Sequence, residues 1–464
     1  MCNYLEKNKS TFFKNLDESV DDKISIKFNY HSTDDIDIIN IEEYNKLIMV
    51  KNKIDDLEDS KLWDKTKKIS NDFELIYLPN KKMKCSSISK YEPLSRSYFK
   101  LWEIIHDFNL INNSSKIKMA GLAEGPGGFI ESMINYRKKF KTICKQDLVY
   151  AITLKSVDKD IPGWNKANHF LKKNDNVIIT YGKDGSGNIY NIDNITEFAK
   201  NFNHDADLVT ADGGFDFSTN FNKQEQSSLR IIFCEIVTAL TIQKKGGSFV
   251  CKIYDSYTKV SVSFLYLLST LYEYVYITKP FTSRPANSEK YLVCKGFKGI
   301  TDTLLKKLHI IVSCWDNIAN YNFIYEIIDY NCIPTNFINM VKEYNTYFYS
   351  QQEKNIEKTL SYINFFTTHP NYEETQYYLN IIKNQIYLAF NWCKKYKCKI
   401  NYDSEHLQNN NKSLAYKTHQ KRLHSNQPHH NQLQSQSPPT QMGNNLSTSN
   451  HKTNIEYSRI VKII

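Results

Sequence analysis

A glycine-rich run occupies residues 123–129, with the sequence Ala-Glu-Gly-Pro-Gly-Gly-Phe. An apolar stretch at residues 117–122 precedes it and a helical pattern at residues 130–136 follows it, so the run is predicted to lie where a strand turns into a helix. Glycines allow the backbone to approach a ligand closely, and the helix N-terminus offers free N–H groups. The pattern is typical of a nucleotide-type site, although a plain tight turn explains a lone glycine cluster equally well.

Four charged residues stand at distinctive points of the chain. Lys100 lies in a predicted helix before the glycine run, Asp212 follows an apolar run in Ala-Asp-Gly-Gly, and Lys252 lies within a strand-like run. Glu289 lies in the stretch Ser-Arg-Pro-Ala-Asn-Ser-Glu. Taken singly, each has an ordinary explanation as a turn cap, a surface lysine or a loop charge. Their coincidence at one end of one predicted sheet favours a shared site.

The elements that must position these residues alternate between strand and helix. Strand-like segments occur at residues 117–122, 148–153, 177–181, 207–211, 248–254, 274–279 and 291–296. Helical patterns lie between them, for example at residues 95–108 and 224–243. This alternation predicts an α/β fold with a mainly parallel sheet of seven strands, helices on both faces, and ligands at the carboxyl ends of the strands.

The chain divides into four parts by its sequence pattern. Residues 1–88 carry mixed charges without a catalytic motif and are predicted to form an accessory region. Residues 89–300 hold the α/β domain, and residues 301–400, with helical spacing, are predicted to form a helical C-terminal subdomain. Residues 401–464 are predicted to be a disordered, low-complexity tail, with a docking element considered at residues 455–464.

Composition restricts the function classes. No apolar run is long enough to cross a bilayer and the N-terminus lacks a signal-peptide core, so an intracellular location in cytoplasm or nucleus, without membrane association, is expected. The 60 Lys and Arg against 50 Asp and Glu give a formal charge of +10, which suits a polyanionic partner but is also explained by solubility alone. The ten cysteines form no C-x-x-C pair, so reduced core cysteines and no metal site are expected.

Longer motifs extend the pattern. Besides the glycine run they are Ala-Ile-Thr-Leu-Lys at residues 151–155, Ala-Asp-Gly-Gly-Phe-Asp-Phe at 211–217, Gly-Gly-Ser-Phe-Val-Cys-Lys-Ile-Tyr-Asp at 246–255, and the stretch at 279–297. In sequence and spacing, residues 90–300 resemble the FtsJ/RrmJ-type RNA 2′-O-methyltransferases. Residues 207–297 are most similar to the eukaryotic and viral enzymes of this family that act on the mRNA cap. The resemblance implies a Rossmann-like, seven-stranded methyltransferase sheet.

The resemblance also implies a catalytic tetrad, which falls on Lys100, Asp212, Lys252 and Glu289. Transfer of a methyl group from a sulfonium to a ribose hydroxyl is an in-line displacement, so the site must align donor and acceptor and accept the hydroxyl proton. Lys252 would accept that proton, and the nearby cation of Lys100 would favour its neutral form. Asp212 would orient the ammonium and balance the sulfonium charge, and Glu289 would hold Lys100 or the ribose.

The methyl donor implied by the resemblance is S-adenosyl-L-methionine. Its methionine and ribose would lie near Asp212 and against the glycine run, whose residues are Ala123, Glu124, Gly125, Pro126, Gly127, Gly128 and Phe129. Its adenosine would reach Asn188 and Ile189, where the cap enzymes usually carry Asp-Ile. Gly121 stands where the family commonly has an acid, and Glu124 is expected to supply the missing carboxylate.

The implied acceptor is RNA, and most specifically capped mRNA, with Asn222 and Glu289 as contacts to the substrate. DNA specificity is not expected, and a protein partner from the capping machinery is considered. The same chemistry on rRNA or tRNA stays open, as does a non-catalytic RNA-binding subunit, although the presence of all four tetrad residue types argues against the latter. The Asn, Lys, Ile and Tyr bias and the Gln/Asn-rich tail favour a eukaryote or a large DNA virus as the source.

Overall fold

The structure, a computed structural model, describes residues 24–31, 37–57, 60–78, 87–111, 116–140, 147–155, 163–214, 221–318, 323–408 and 460–462. The strands are β1 (Ile26–His31), β2 (Lys118–Leu122), β3 (Leu148–Ile152), β4 (Val177–Thr180), β5 (Ala206–Ala211), β6 (Gln243–Ile253), β7 (Tyr272–Thr278), β8 (Lys290–Phe297), β9 (Phe323–Ile328) and β10 (Ile460–Lys462). The helices are α1 (Ile41–Asp55), α2 (Ser60–Ile69), α3 (Ser97–Phe108), α4 (Gly128–Phe140), α5 (Asn168–Lys173), α6 (Ile192–Ala199), α7 (Gln224–Ile242), α8 (Lys259–Leu271), α9 (Asp302–Ile318), α10 (Thr335–Thr368) and α11 (Gln376–Lys395). Within these ranges, no helix combines the length and apolarity that a membrane crossing requires.

A large mixed sheet forms the centre of the protein. Its strand order is β10-β7-β8-β6-β5-β2-β3-β4. Strands β2 to β6 are parallel to one another, whereas β8 runs antiparallel to both β6 and β7. The α/β fold with the seven predicted strands, β2 to β8, is therefore confirmed, and β10 adds a further strand beside β7. The carboxyl ends of β2, β3, β5 and β6 and the amino end of β8 share one edge.

Side chains that alternate along the central strands divide the core between the two faces of the sheet. In β5, Val209 and Ala211 belong to one apolar cluster, whereas Leu208 belongs to the other. Helices α6, α7, α8 and α9 cover the first face, and α3, α4 and α11 cover the second. Because both faces are covered, the strands are apolar on both sides, as is typical of a parallel sheet.

The N-terminal and C-terminal regions are joined to each other. Strand β1 pairs antiparallel with β9, with Ile26 opposite Ile328. Gln385 of α11 donates hydrogen bonds to the backbone carbonyls of Ile69 and Asn71 at 2.8 Å each. The region after residue 300 is mainly helical, as predicted, and it also contains β9 because that strand has a partner in the N-terminal region. The predicted domain limits stay predictions.

A buried ion-paired triad connects the N-terminal region to β8. The carboxylate of Asp255 lies 2.9 Å from Nζ of Lys51 in α1 and 3.0 Å from Nζ of Lys290. Burial alone would raise the pKa of Asp255, but Lys290 and Lys51 outweigh burial and hold the pKa below its usual range. Since Lys290 directly follows Glu289, this triad also fixes the chain beside a predicted site residue.

Most of the C-terminal tail, including residues 409–459, lies outside the described residues, so its predicted disorder stays a prediction. Within the considered docking element, β10 pairs antiparallel with β7, with Ile460 opposite Thr278 and Lys462 opposite Tyr276. This pairing covers backbone N–H and C=O groups that an edge strand would otherwise leave exposed.

Deletion of residues 409–464 should expose the outer edge of β7. Amide hydrogen exchange in β7 should become faster because the antiparallel partner is lost, while exchange in β4, at the opposite edge, should stay the same. The midpoint of thermal unfolding should change little, since each hydrogen bond of so short a strand contributes only about 1 kcal/mol net. Unchanged exchange in β7, followed by mass spectrometry, would contradict the pairing.

Candidate active site

The glycine-rich run connects β2 to α4. Ala123 has a φ of 52° and Gly127 a φ of 102°, so the chain turns sharply between strand and helix. A Cβ atom built on Gly127 would lie 3.0 Å from the ring of Trp164, and one on Gly128 would clash with the hydroxyl of Ser95. Glycine at these two positions therefore lets the run pack closely against Trp164 and Ser95, and α4 begins at the carboxyl end of β2, where the N–H groups of its first turn have no partners within the helix.

Two buried polar atoms near the glycine run have no hydrogen-bond partner among the described residues. They are Oε2 of Glu124 and Nε1 of Trp164. The other oxygen of Glu124, Oε1, accepts a hydrogen bond from the hydroxyl of Thr210. Burial raises the pKa of Glu124 well above its ordinary value, and the nearby charge of Asp212 raises it further. A Cβ on Gly121 would lie 3.0 Å from Oε2, so the Glu124 carboxyl extends beside the position where the family commonly has its acid.

The loop that contains Asn188 lies beside the carboxyl end of β3. The N–H of Lys155 donates to the carbonyl of Ser186 at 2.7 Å, which joins the two segments. Oδ1 of Asn188 accepts from the N–H of Tyr190 at 3.0 Å, and Ile189 is buried. Among the described residues no acceptor pairs with Nδ2 of Asn188, so this nitrogen is available as a donor to a ligand.

The structure brings the four predicted tetrad residues to the same edge as two ion pairs. Nζ of Lys252 lies 3.3 Å from Oδ1 of Asp212 and donates to the Asp212 carbonyl oxygen at 2.9 Å. Nζ of Lys100 lies 2.8 Å from the carboxylate of Glu289. The four side chains are between 11% and 16% exposed, so the group is largely shielded from water but is still accessible to a substrate.

Tyr291 connects the two ion pairs. Its hydroxyl donates to Oδ1 of Asp212 at 3.2 Å, and its ring centroid lies 5.9 Å from Nζ of Lys100. Burial alone would raise the pKa of Glu289, but Lys100 and Lys252 outweigh burial and lower the pKa to about 2. The two pairs therefore act as one electrostatic unit, in which Glu289 is ionised at neutral pH.

The protonation of Lys252 differs from the prediction. Burial acts to lower the pKa of Lys252, but the negative charges of Asp212 and Glu289 outweigh burial and raise the pKa. Because Glu289 neutralises Lys100, the second cation does not shift Lys252 toward its neutral form. The prediction of a neutral amine is therefore wrong for the protein without ligands, because its own charged groups hold Lys252 as an ammonium at neutral pH.

Glu235 of α7 is a site residue that no motif indicated. It is fully buried, and its Oε1 accepts a hydrogen bond from the N–H of Gly213 at 2.9 Å. Burial raises the pKa of Glu235 to about 8, against the opposing effect of Lys252. Glu235 thus fixes the turn that follows Asp212. The one available signal was a lone carboxylate within the apolar stretch Ile-Ile-Phe-Cys-Glu-Ile-Val.

Lys279 is a second residue that the motifs did not indicate. Its Nζ donates to the carbonyl of Glu289 at 2.7 Å and to the carbonyl and side-chain oxygens of Asn287 at 2.8 and 2.7 Å. Burial lowers the pKa of Lys279 well below its ordinary value, although Glu289 opposes this shift. Lys279 therefore holds the loop between β7 and β8 in the shape that presents Glu289.

Asn222, a predicted substrate contact, lies just before α7. Its Nδ2 donates to Oδ1 of Asn52 in α1 at 2.9 Å, so the structure places it against the N-terminal region. The preceding residues 215–220, with the Phe-Asp-Phe of the predicted motif, lie outside the described residues. The contact of Asn222 with substrate stays a prediction. Over the described part of the chain, no group of three or more His, Cys, Asp or Glu side chains is placed to hold a metal ion.

A ligand loop and a cluster of ionisable groups at one edge of a seven-stranded mixed sheet are the arrangement of a methyltransferase domain. Residues 93–297 match the FtsJ-like methyltransferase family, and this part of the chain is an FtsJ-like methyltransferase domain. The matched residues include the glycine run and all four members of the tetrad. The methyl donor of such a domain is S-adenosylmethionine.

Curated relatives of the chain carry the name cap-specific mRNA (nucleoside-2′-O-)-methyltransferase 1. The mouse protein of that name is 39% identical over 194 residues, which cover 39% of this chain and 22% of that protein. The Dictyostelium discoideum protein is 30% identical over 323 residues, which cover 66% of this chain and 41% of that protein. The chain thus spans less than half the length of these relatives.

Gly127→Val should abolish binding of S-adenosylmethionine or its demethylated product. A valine side chain is strained at a φ of 102° and would meet the ring of Trp164, so the run could no longer present its backbone. Gly163→Ala is the matched control, because a Cβ there meets no atom of the described residues within 4 Å. Calorimetry that finds wild-type affinity in the Gly127 variant would show that the donor binds elsewhere.

Glu235→Gln should change how stability depends on pH. Folding raises the pKa of the Glu235 carboxyl group from 4.5 to about 8, so this group binds its proton more tightly in the folded state. Its contribution to the free energy of unfolding therefore falls as pH rises from about 4.5 to about 8. Glutamine keeps an oxygen for the N–H of Gly213 but does not titrate. Its stability relative to the wild type should therefore increase as pH rises from about 5 to about 8.

Urea unfolding at several pH values measures this difference. Glu197→Gln in α6, where the glutamate side chain is 41% exposed, is the control for removal of a carboxylate from the surface. A constant difference between the Glu235 variant and the wild type across the window would contradict the raised pKa.

Proposed function

We propose that the protein transfers a methyl group from S-adenosylmethionine to a ribose 2′-hydroxyl of RNA, at the nucleotide next to an mRNA cap. The observation that carries the proposal is the pair of linked ion pairs, Lys252 with Asp212 and Lys100 with Glu289, at the edge that also holds the glycine run. The names of the relatives support a capped acceptor. The net charge of +10 agrees with a polyanionic substrate.

The donor fits the residues present at this edge. The N-terminus of α4, which begins at Gly128, would hold its methionine and ribose, and Nε1 of Trp164, which has no partner among the described residues, offers a further donor. Nδ2 of Asn188, with Ile189 beside it, would hold the adenine. When bound, S-adenosylmethionine supplies an electrophilic methyl group on a positively charged sulfur.

Lys252 is proposed to take the proton of the ribose hydroxyl. The hydroxyl oxygen gains the methyl group, its proton passes to the amine of Lys252, and the electrons of the broken C–S bond stay on sulfur. Since Asp212 and Glu289 hold Lys252 as an ammonium, this lysine must first lose a proton. A cation close to Asp212 would offset part of the negative charge around Lys252 and so favour the neutral amine.

The second ion pair is proposed to position the acceptor. Glu289 is fixed by Lys100 at 2.8 Å and by the hydroxyl of Ser283, which donates to its Oε1 at 2.7 Å. Lys279 holds the backbone of the same residue. A carboxylate fixed by two contacts, on a backbone that is itself held, can accept a hydrogen bond from a ribose hydroxyl without first reorganising, which is the advantage of a preorganised site.

Incubation with labelled S-adenosylmethionine and matched capped and uncapped RNA tests the proposed function. Mass analysis of the digested RNA should find one added methyl group on the ribose next to the cap and none on the uncapped RNA. Equal labelling of both RNAs would favour the rRNA or tRNA alternative. No labelling of either, with donor and RNA both bound, would favour a non-catalytic RNA-binding subunit.

Lys252→Ala should lower the single-turnover rate by about a hundredfold or more while donor affinity stays the same, because removal of a general base costs on that order. Lys252→Arg should fail as well, since a guanidinium stays protonated. The wild-type rate should rise with pH through the neutral range, because the raised pKa leaves little neutral amine there.

Lys244→Ala, on the same strand but with an exposed side chain, is the matched control and should keep the wild-type rate. An arginine variant of Lys252 with appreciable rate would show that only positive charge is needed there. A near-normal rate for Lys252→Ala would contradict the assignment of the tetrad.

A further inference from the structure

The side chain of Asn194, in the first turn of α6, is fully buried although it is polar. Ile195 and Phe198, which share the buried side of this helix, belong to the apolar core. Burial of an amide costs free energy unless its donors and its acceptor are satisfied. The partners of this amide therefore indicate what the side chain does.

Among the described residues, the hydrogen-bond partners of the Asn194 side chain all lie in the segment of residues 182–188, called the β4–α6 loop below. Oδ1 accepts from the N–H of Asp184 at 3.1 Å. Nδ2 donates to Oδ1 of Asp184 at 2.9 Å, to the carbonyl of Asn188 at 3.0 Å and to the hydroxyl of Ser186 at 3.2 Å. Since Nδ2 carries two hydrogens, the three acceptors share them. One side chain thus holds three residues of the loop.

The surroundings of Asn194 require an amide in one orientation. A reversed amide would place Nδ2 against the N–H of Asp184 and Oδ1 against the carboxylate of Asp184 and the carbonyl of Asn188. Hydrogen bonds from Ser186 and Asn194 hold the pKa of Asp184 below its ordinary value. The carboxylate is therefore ionised, and the hydrogen bond that it accepts from Nδ2 is charge-assisted.

Two glycines let the backbone of the β4–α6 loop lie between Asn194 and the end of β3. Gly182 has a φ of 72°, and a Cβ built on it would lie 2.4 Å from Oδ1 of Asn194. Gly187 has a φ of 70°, and a Cβ there would lie 2.0 Å from the carbonyl oxygen of Thr153, just after β3. The loop is therefore packed directly against the amide on one side and the strand end on the other.

The hold on Asn188 is the one that reaches the predicted donor site. The carbonyl of Asn188 accepts from Asn194, and its N–H donates to the hydroxyl of Ser186 at 3.1 Å, which Asn194 also contacts. Residues 182–186 are partly or fully exposed, so apolar burial contributes little to the shape of this part of the loop. The backbone of Asn188 is thus fixed, directly and through Ser186, by one buried amide.

We propose that Asn194 is a positioning residue for the methyl donor, which holds the β4–α6 loop in the shape that presents Asn188 and Ile189 to the adenosine. Asn194 acts through the loop and not by contact with the donor, since its polar atoms are engaged by the loop. The inference rests on the proposed function, in which Asn188 and Ile189 hold the adenine. It adds that the loop is ordered before the donor arrives, so binding does not include the entropy cost of ordering it.

Asn194→Asp tests the proposal with little change in shape. The substitution keeps an oxygen for the N–H of Asp184, but it removes both donors and places a second carboxylate beside Asp184. Calorimetry with the demethylated donor product should find an affinity at least about tenfold weaker, because ordering the backbone of one residue costs about as much free energy as a tenfold change in affinity. Asn194→Ala removes the donors without adding a charge, so it should also weaken binding, and it serves if the charged variant does not fold.

Gln385 of α11 provides the matched control. It too is a buried amide, and its Nε2 donates to the backbone carbonyls of Lys68, Ile69 and Asn71 at 3.2, 2.8 and 2.8 Å. Helix α11 packs on the opposite face of the sheet from α6. Gln385→Glu and Gln385→Ala should therefore keep the wild-type affinity for the donor product. An equal loss of affinity in these variants would show general destabilisation and would overturn the positioning role.

Hydrogen exchange and a shorter ligand locate the effect along the donor. Without ligand, amide exchange in residues 182–188 should be faster in the Asn194 variants than in the wild type, while exchange in residues 123–129 should be the same. The ligand 5′-methylthioadenosine keeps the adenosine but lacks the amino-acid part of the donor. Its affinity, measured by ligand-observed NMR, should fall by the same factor as that of the donor product. A fall for the donor product alone would place the effect at the methionine end and overturn the proposal.

The positioning role and the proposed reaction fail separately in these measurements. Wild-type donor affinity in both Asn194 variants would overturn the positioning role, even if the loop exchanges faster and RNA is methylated. Weakened donor binding in a protein that methylates no RNA would support the positioning role and overturn the proposed reaction. Where methyl transfer is observed, Asn194→Asp should raise the KM for the donor and leave kcat the same. A lowered kcat at saturating donor would contradict a role confined to the adenosine.

Discussion

Charge balance in a poorly hydrated space is the constraint on which the site depends. Lys100, Asp212, Lys252 and Glu289 come from a helix, a strand end, a second strand and a loop, and each ion pair forms only when the two segments that supply it are in place. Removing one member would leave its partner as an uncompensated charge, which costs about 3–5 kcal/mol when buried. The charges at this edge of the sheet are therefore balanced only when β5, β6, β8 and α3 are correctly arranged.

The strands could be predicted because a sheet covered on both faces leaves a clear sequence signal of short, continuous apolar runs. The tetrad residues could be identified from motif resemblance, but their pairing could not. Lys100 and Glu289 are 189 residues apart, and nothing local indicates that they meet. Glu235 and Lys279 were missed for a related reason, since each acts on the backbone of a neighbouring segment and belongs to no motif. The pairing of β1 with β9 likewise depends on contacts distant in sequence.

The direction of the Lys252 pKa shows why site electrostatics cannot be obtained from residue types alone. Two lysines in one site predict mutual repulsion and a neutral amine. In the structure Lys100 forms its ion pair with Glu289, and Lys252 forms its ion pair with Asp212. Glu289 also raises the pKa of Lys252 from a longer distance. The sign of the shift follows from which carboxylate each lysine meets, and that is a property of the folded chain.

The triad of Lys51, Asp255 and Lys290 has a consequence for how this domain can be inherited. The stretch that matches the family begins at residue 93, yet one of the two countercharges of buried Asp255 comes from residue 51, and β9 beyond the stretch pairs with β1 before it. The stretch that matches the family is therefore shorter than the part of the chain that is needed to neutralise the buried charge of Asp255. A recombination event that moved only the homologous stretch into another gene would separate Asp255 from Lys51, so the flanking regions must travel with the domain or be replaced by equivalents.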